Sequence, residues 1–237
     1  MTAEELGPLP AGRHGFSREQ VAHHQRERLI AGLAEAVAEK GYAAVTLTDI
    51  VKHAKVSRRV FYANFEGKEQ CFVAAFEVVV DHLRELIGEA VEAVDGWPQQ
   101  ALAATRVVLA FLASEPDLAR LCLVESRAAG PAVTARFNQA AGEMAPLLRQ
   151  GRAERTEAER LPDSTEDSTI GALVSLVQRK VVAGEAPQLE NLLPDCAELV
   201  LLPYLGSIEA THLVAQVSSK ADWKDFDSAQ HLRDELS

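Results

Sequence analysis

Apolar residues recur at helical spacing along most of this chain. Leu29, Leu33 and Val37 repeat every four residues, which predicts a first helix from about Ser17 to Lys40, with Gly41 as its stop. Similar patterns predict further helices over about 68–94, 98–113, 116–127 and 132–152. The sequence contains no run of strand-like alternation, so the predicted fold class is all-α.

Two apolar helices are predicted near the end of the chain, over about 168–184 and 192–217, the second interrupted by Pro203. Both carry more apolar residues than one buried face requires, including Leu176 and Leu201. A helix that is apolar on two faces is either fully buried or part of an interface. The charged residues 154–168 before them predict a mobile connection.

Two short helices are predicted between the first helix and the long one. Thr46 with Asp49 three residues later forms a capping box, and Ser57 is a suitable N-cap for the next helix. Each helix has only about two turns and is too short to be stable alone. We therefore expect both to pack on the first helix as a three-helix unit.

Composition indicates a folded chain with an aliphatic core. Of the 237 residues, 47% are hydrophobic but only 5% are aromatic. The three cysteines are far apart without CxxC spacing and no signal-peptide pattern opens the chain, which predicts reduced thiols and a cytoplasmic location. The apolar stretch 199–205 is too short to cross a membrane, so no membrane association is expected.

The charge distribution suggests a nucleic-acid partner despite a net charge of −11. Residues 13–65 hold nine Arg or Lys against five Asp or Glu, so a basic segment of charge +4 adjoins an acidic remainder. Arg58 and Arg59 open a short helix, where the helix dipole disfavours cations. Such a placement indicates an anionic partner, and DNA is the obvious one.

The stretch 46–68 resembles the DNA-binding motif of the TetR family of transcriptional regulators. The resemblance rests on Thr46, the turn Ala54-Lys55-Val56-Ser57, the pattern Tyr62-Ala63-Asn64-Phe65, and Lys68, in the family's order and spacing. It implies an N-terminal helix-turn-helix domain followed by a larger helical domain that binds a ligand and dimerises.

The resemblance assigns DNA contacts residue by residue. Arg58 and Arg59 are expected in the major groove, where arginine commonly binds guanine. Tyr62 is expected to place its hydroxyl on a phosphate, and Arg13 and Arg18 to let the N-terminal arm reach the DNA. The full set of predicted DNA-binding residues is Thr46, Thr48, Lys55, Ser57, Arg58, Arg59, Tyr62, Asn64 and Lys68.

Lys55 departs from the family pattern, which has glycine in the turn. The turn position often needs a positive φ, so Lys55 is expected to be strained by about 1 kcal/mol. It also places a cation close to the expected DNA backbone.

The predicted domains are a flexible arm (1–16), a DNA-binding domain (17–66), an effector-binding and dimerisation domain (67–217) and a polar tail (218–237). The resemblance implies a homodimer through the last two helices.

The scarcity of aromatics favours an apolar, aliphatic effector such as a fatty acyl chain, terpenoid or polyketide. The candidate effector-pocket residues are Phe76, Leu83, Phe111, Cys122, Glu125, Phe137, Met144 and Val177. Each also fits ordinary helix packing, and Glu125 with Arg127 is equally compatible with a surface ion pair.

Catalysis and cofactors are not expected. The seven histidines show no metal-ligand spacing, and no nucleophile, P-loop or dinucleotide-binding pattern occurs, so no metal or cofactor site is predicted. The favoured function is a ligand-responsive DNA-binding regulator, a repressor released from a palindromic operator by a small molecule. The alternative is a small-molecule carrier that has lost DNA binding through Lys55.

Overall fold

The computed structural model describes residues 17–154 and 161–217 of the chain. Within these ranges the secondary structure consists of α-helices and short 3-10 helices, with no strand. The predicted all-α fold class is therefore confirmed.

Ten α-helices are formed by the described residues. They are α1 (Arg18–Lys40), α2 (Leu47–His53), α3 (Arg58–Asn64), α4 (Lys68–Glu92), α5 (Trp97–Ser114), α6 (Pro116–Leu123), α7 (Pro131–Gly142), α8 (Ala145–Gln150), α9 (Thr165–Val182) and α10 (Leu193–Val217). Short 3-10 helices lie between some of them, at Glu125–Arg127, Gly151–Ala153 and Ala186–Leu192.

Helix α1 has the bounds that its pattern predicts. The Ser17 side chain accepts a hydrogen bond from the backbone N–H of Gln20 at 3.1 Å, which closes a capping box. At the other end, Gly41 takes φ 73° and its N–H donates to the Val37 carbonyl. Glycine adopts such a positive φ without the strain that a side chain would add.

The predicted helix over 132–152 is wrong as a single element. Helix α7 ends at Gly142 and α8 begins at Ala145. The cause is Pro146, which has no N–H for the Gly142 carbonyl and whose ring would clash with that carbonyl in a continuous helix. The helix predicted over 116–127 likewise ends as an α-helix at Leu123 and continues as a 3-10 turn.

Helix α10 passes through Pro203 and breaks at Gly206 instead. Gly206 has φ 75° and ψ 171°, a backbone conformation that is almost restricted to glycine. The interruption predicted at Pro203 therefore lies three residues later. It separates a largely buried first part of the helix from a segment whose Ile208 is 89% exposed.

The chain folds into two compact units. The first comprises Met1–Val79 and Arg120–Phe137, and the second comprises Val80–Ala119 and Asn138–Ser237, each as far as it is described. The first unit thus takes in a later segment of the chain as well as its N-terminal part. The domain boundaries predicted from the sequence stay a prediction.

The first unit contains the expected three-helix arrangement. Phe61 and Phe65 of the α3 region are buried, as are Leu33 of α1 and Ile50 of α2. Helices α1 and α2 approach very closely at Gly32, where an added Cβ would lie 2.6 Å from the Ala54 backbone nitrogen. A glycine is therefore required at this crossing.

The second unit has a core built around one aromatic pair. The rings of Trp97 and Tyr204 meet edge to face with centroids 4.8 Å apart, and the Trp97 indole donates to the Leu147 carbonyl at 2.7 Å. Val200 and Leu201 of α10 pack into the same buried cluster. In this unit α10 packs against both α5 and α9.

Several predicted segments lie outside the described residues. These are the arm 1–16 with Arg13, the side chain of Arg18, the tail 218–237, and 155–160 of the predicted connection. Helix α9 begins at Thr165, so the predicted connection is shorter than 154–168.

Candidate nucleic-acid interface

Helices α2 and α3 form a helix-turn-helix with side-chain caps at both starts. The Thr46 hydroxyl accepts from the Asp49 N–H at 3.3 Å, and the Asp49 carboxylate accepts from the Thr46 N–H at 2.9 Å, as the capping box predicts. The Ser57 hydroxyl accepts from the Val60 N–H at 3.3 Å. Lys40 pairs with Asp49 as well, and its hydrogen bond holds the pKa of that carboxyl well below its usual range.

The turn between the two helices has the geometry of a Schellman motif. The Lys55 N–H donates to the Lys52 carbonyl at 3.2 Å, and the Val56 N–H donates to the Val51 carbonyl at 3.1 Å. Lys55 has φ 51°, the single positive φ among the described residues other than glycine. The positive φ expected from the sequence is confirmed, and the turn closes without glycine.

A buried side chain of α1, Arg28, hydrogen-bonds to this turn. Its guanidinium Nη2 donates to the Lys55 carbonyl at 3.2 Å, and the side chain is 4% exposed. Burial lowers the pKa of Arg28. No local sequence signal marks this residue, because its partner lies 27 positions later in the chain.

The outer surface of the helix-turn-helix carries most of the predicted DNA-binding residues. Tyr62 is 63% exposed, so its hydroxyl is accessible, and the Arg58 guanidinium donates to the Thr48 hydroxyl at 2.6 Å. The exposed members of the predicted set are Thr46, Thr48, Lys55, Ser57, Arg58, Arg59 and Tyr62. The α3 face opposite to them is closed by Phe61 and Phe65.

Asn64 and Lys68 are half-buried and hydrogen-bond within the protein. The Asn64 amide donates to the Val60 carbonyl at 2.8 Å. The Lys68 ammonium donates to the Tyr42 and Val45 carbonyls, each at 3.0 Å, and lies 4.4 Å from the centre of the Tyr42 ring. Both contacts fix the frame of the helix-turn-helix, while their predicted contacts with DNA stay predictions.

Residues 29–75 match the family model described as bacterial regulatory proteins, tetR family. This segment therefore carries a DNA-binding unit of the tetR type. The matched residues run from the buried part of α1 to the first turns of α4 and include the whole helix-turn-helix.

Relatives extend the similarity beyond the DNA-binding unit. The chain is 26% identical to the HTH-type transcriptional activator FasR of Mycolicibacterium smegmatis, over 59% of this chain and 64% of that protein. The match thus spans slightly less than two thirds of that relative's length.

Solved structures of two bacterial regulators show the same fold. The fatty acid degradation regulator FadR of Bacillus halodurans superposes with a TM-score of 0.68 at 18% identity, over 77% of this chain and 95% of that one. FadR of Bacillus subtilis, solved in complex with stearoyl-CoA, gives a TM-score of 0.64 at 17% identity, over 76% and 98%. These similarities establish the shared fold.

The candidate effector residues are distributed over both units. The first unit holds Phe76 and Phe137, whose ring centroids are 6.1 Å apart, and the buried Cys122, whose thiol pKa burial raises to about 12. The second unit holds Leu83, Phe111, Met144 and Val177. Their role in binding an effector stays a prediction.

Glu125, the remaining candidate, has specific partners in the first unit. Its carboxylate accepts the backbone N–H of Tyr42 at 2.9 Å and lies 3.3 Å from the Arg120 guanidinium. The side chain is buried, whereas Arg127 is exposed. The ion pair of Glu125 is therefore with Arg120, five residues earlier, in place of the surface pair with Arg127.

The described part of the chain offers neither a metal site nor a membrane span. Residues 17–154 and 161–217 contain no group of three His, Cys, Asp or Glu side chains placed to hold a metal ion. Among the helices in these ranges, none is long and apolar enough to span a bilayer.

Proposed function

We propose that this chain is a ligand-responsive transcriptional regulator that binds a near-palindromic operator as a homodimer. Helix α3 is the recognition helix, and Arg58 and Arg59 read bases in the major groove. The observation that carries the proposal is the two-sided character of α3. Phe61 of α3 and Phe65 just after it are buried, while the first turn of the helix exposes two adjacent arginines on a basic segment of an acidic protein.

In this proposal the DNA-binding domain comprises 17–66 and the effector-binding and dimerisation domain 67–217. Thr46, Thr48, Ser57 and Tyr62 bind phosphates and set the register of α3, and Lys55 adds a cation at the turn. The homodimer forms through α9 and α10, because Val182, Leu202 and Ile208 leave apolar side chains exposed on these helices.

The proposed effector is a molecule with a long aliphatic chain, and a fatty acyl thioester is the first candidate. The low aromatic content supports an aliphatic ligand over a flat aromatic one. The stearoyl-CoA in the structure of Bacillus subtilis FadR, which shares this fold, supports an acyl chain as the first ligand to try. Effector binding is proposed to favour a state that releases the operator, which is repressor behaviour.

Selection of random double-stranded DNA by the purified protein tests the DNA-binding claim. We expect native protein to enrich an inverted repeat, and Arg59→Ala to lose roughly 1–3 kcal/mol of binding free energy together with base preference at one position of each half-site. Arg58→Ala is expected to act similarly. Its loss of binding free energy should be smaller, because Arg58 of the native protein must first give up its hydrogen bond to the Thr48 hydroxyl. Arg149→Ala, which removes an exposed arginine of α8, is the matched control and should enrich the native sequence.

Salt dependence separates a regulator from a carrier protein. For a DNA reader, log K should fall with log salt at roughly −0.9 per phosphate neutralised. If native protein enriches no sequence at low salt, the DNA-binding claim is wrong.

Once an operator is found, stearoyl-CoA, stearate and free coenzyme A should be titrated against the complex. We expect stearoyl-CoA to lower operator affinity and coenzyme A to leave it unchanged.

A further inference from the structure

One buried carboxylate connects the later part of the first unit to the entrance of the helix-turn-helix. Glu125 opens the 3-10 segment Glu125–Arg127, is 8% exposed, and accepts the Tyr42 N–H at 2.9 Å. The two residues are 83 positions apart, and both belong to the first compact unit. A charged acceptor for a buried backbone N–H is a strong hydrogen bond, and its loss leaves that N–H unsatisfied.

The carboxylate also lies in van der Waals range of the glycine before Tyr42. Gly41 ends α1 with a positive φ, and a Cβ added there would lie 3.5 Å and 3.7 Å from the two Glu125 carboxylate oxygens. The carboxylate therefore lies directly on the turn through which the chain leaves α1. The Arg120 guanidinium, 3.3 Å away, supplies the opposite charge that a buried carboxylate requires.

Lys68 also holds the segment from Tyr42 to Thr46. The Lys68 ammonium binds the carbonyls of Tyr42 and Val45, and Val45 directly precedes Thr46, the N-cap of α2. The Tyr42 ring packs edge to face on Phe72 of α4. The backbone that leads into the helix-turn-helix is thus fixed by Glu125 at Tyr42 and by Lys68 at both Tyr42 and Val45.

We propose that Glu125 is a positioning residue that transmits the state of the segment Arg120–Phe137 to α2 and α3. When its bond to Tyr42 is made, the entrance of the helix-turn-helix is held in the DNA-binding position. In the chain, this segment is preceded and followed by residues of the second unit. When effector binding shifts the segment, the bond to Tyr42 is lost and operator affinity falls. This role rests on the proposed function, and it differs from the predicted contact of Glu125 with an effector.

Three full-length variants test the role. Glu125→Ala removes the acceptor, Glu125→Gln keeps an oxygen that accepts the Tyr42 N–H, and Glu77→Ala is the matched control. The Glu77 carboxylate forms a bidentate pair with Arg136 in the same unit, at 2.6 Å and 2.8 Å, so its removal breaks an ion pair other than the one beside Tyr42. Operator Kd, stearoyl-CoA Kd without DNA, and amide hydrogen exchange across 41–46 are measured for each.

We expect Glu125→Ala to weaken operator binding at least tenfold and to speed exchange at Tyr42. Glu125→Gln should stay within about threefold of native, and Glu77→Ala within about twofold. The ratio of operator Kd with and without stearoyl-CoA should approach one in Glu125→Ala, while the stearoyl-CoA Kd stays within twofold of native.

Other outcomes overturn the inference in recognisable ways. Native-like operator affinity in Glu125→Ala, or equal losses in Glu125→Ala and Glu77→Ala, shows that Glu125 has no positioning role. Loss of stearoyl-CoA affinity in Glu125→Gln shows that the carboxylate contacts the ligand instead. If the native protein binds no operator, the proposed function fails and the inference fails with it. A bound operator with an unaffected Glu125→Ala variant contradicts the inference alone.

Discussion

At the residue scale, Lys55 is a non-glycine residue in a backbone conformation that favours glycine. It occupies the left-handed residue of the turn with φ 51°, which costs a non-glycine residue about 1 kcal/mol. Glycine removes this strain, although its greater freedom in the unfolded chain offsets part of the gain. We expect Lys55→Gly to raise the free energy of unfolding by about 0.5 kcal/mol in urea denaturation.

Lys55→Ala is the control for this substitution. It removes the same charge but keeps a Cβ in the left-handed conformation, so it should not be more stable than native protein. If Lys55 contacts a phosphate, both variants should reduce the salt slope of operator binding by about 1. Equal stability of the two variants would show that the turn stores no strain at this residue.

At the element scale, the sequence predicts helix starts better than helix breaks. Caps at Thr46 and Ser57 are local, since each side chain accepts from a backbone N–H three residues later, and both are confirmed, as is the start of α1 at Ser17. The sequence does not predict the break before Pro146, because the apolar period continues across it. The positive φ of Lys55 was predicted from its place in the motif and is confirmed.

The start of α9 depends on a buried ion pair that gives stability a specific pH dependence. Glu166 is 1% exposed and accepts from Arg152 at 2.6 Å and 2.9 Å and from the Tyr204 hydroxyl at 3.3 Å. The Arg152 hydrogen bonds lower the pKa of Glu166. A lowered pKa in the folded state means that this contribution is complete above the unfolded carboxyl pKa and is lost as pH falls through the folded value.

We expect Glu166→Gln to lower the free energy of unfolding by roughly 1.5–3 kcal/mol at pH 7, where a charged hydrogen bond is replaced by a neutral one. The difference from native protein should shrink as the pH is lowered below about 4, the range in which an unfolded glutamate protonates. Urea denaturation at several pH values measures it. Asp167→Asn, an exposed carboxylate in the same helical turn, should change stability by less than about 0.5 kcal/mol. A pH-independent difference for Glu166→Gln would contradict this assignment.

At the scale of the whole molecule, contacts between distant parts of the chain limit what the sequence predicts. The exposed face of α3 follows from local spacing, so the sequence alone indicates Arg58, Arg59 and Tyr62 as candidates for DNA contact, and their contacts stay a prediction. The supports of that face were not, because Arg28 reaches Lys55 across 27 residues and Glu125 reaches Tyr42 across 83. Residues so far apart in the chain cannot meet within one helix or turn, so only the tertiary fold brings these groups together.

The proposed homodimer gives the last test at this scale. Ile208 is 89% exposed in the single chain, and burying an isoleucine in an interface contributes about 1.5–3 kcal/mol. We expect Ile208→Arg to raise the dimer dissociation constant at least tenfold in sedimentation equilibrium and to weaken operator binding, with native helicity by circular dichroism. Val78→Arg, at a 49% exposed valine of α4, is the matched control and should remain dimeric. An Ile208→Arg protein with native dimer affinity would place the interface away from this end of α10.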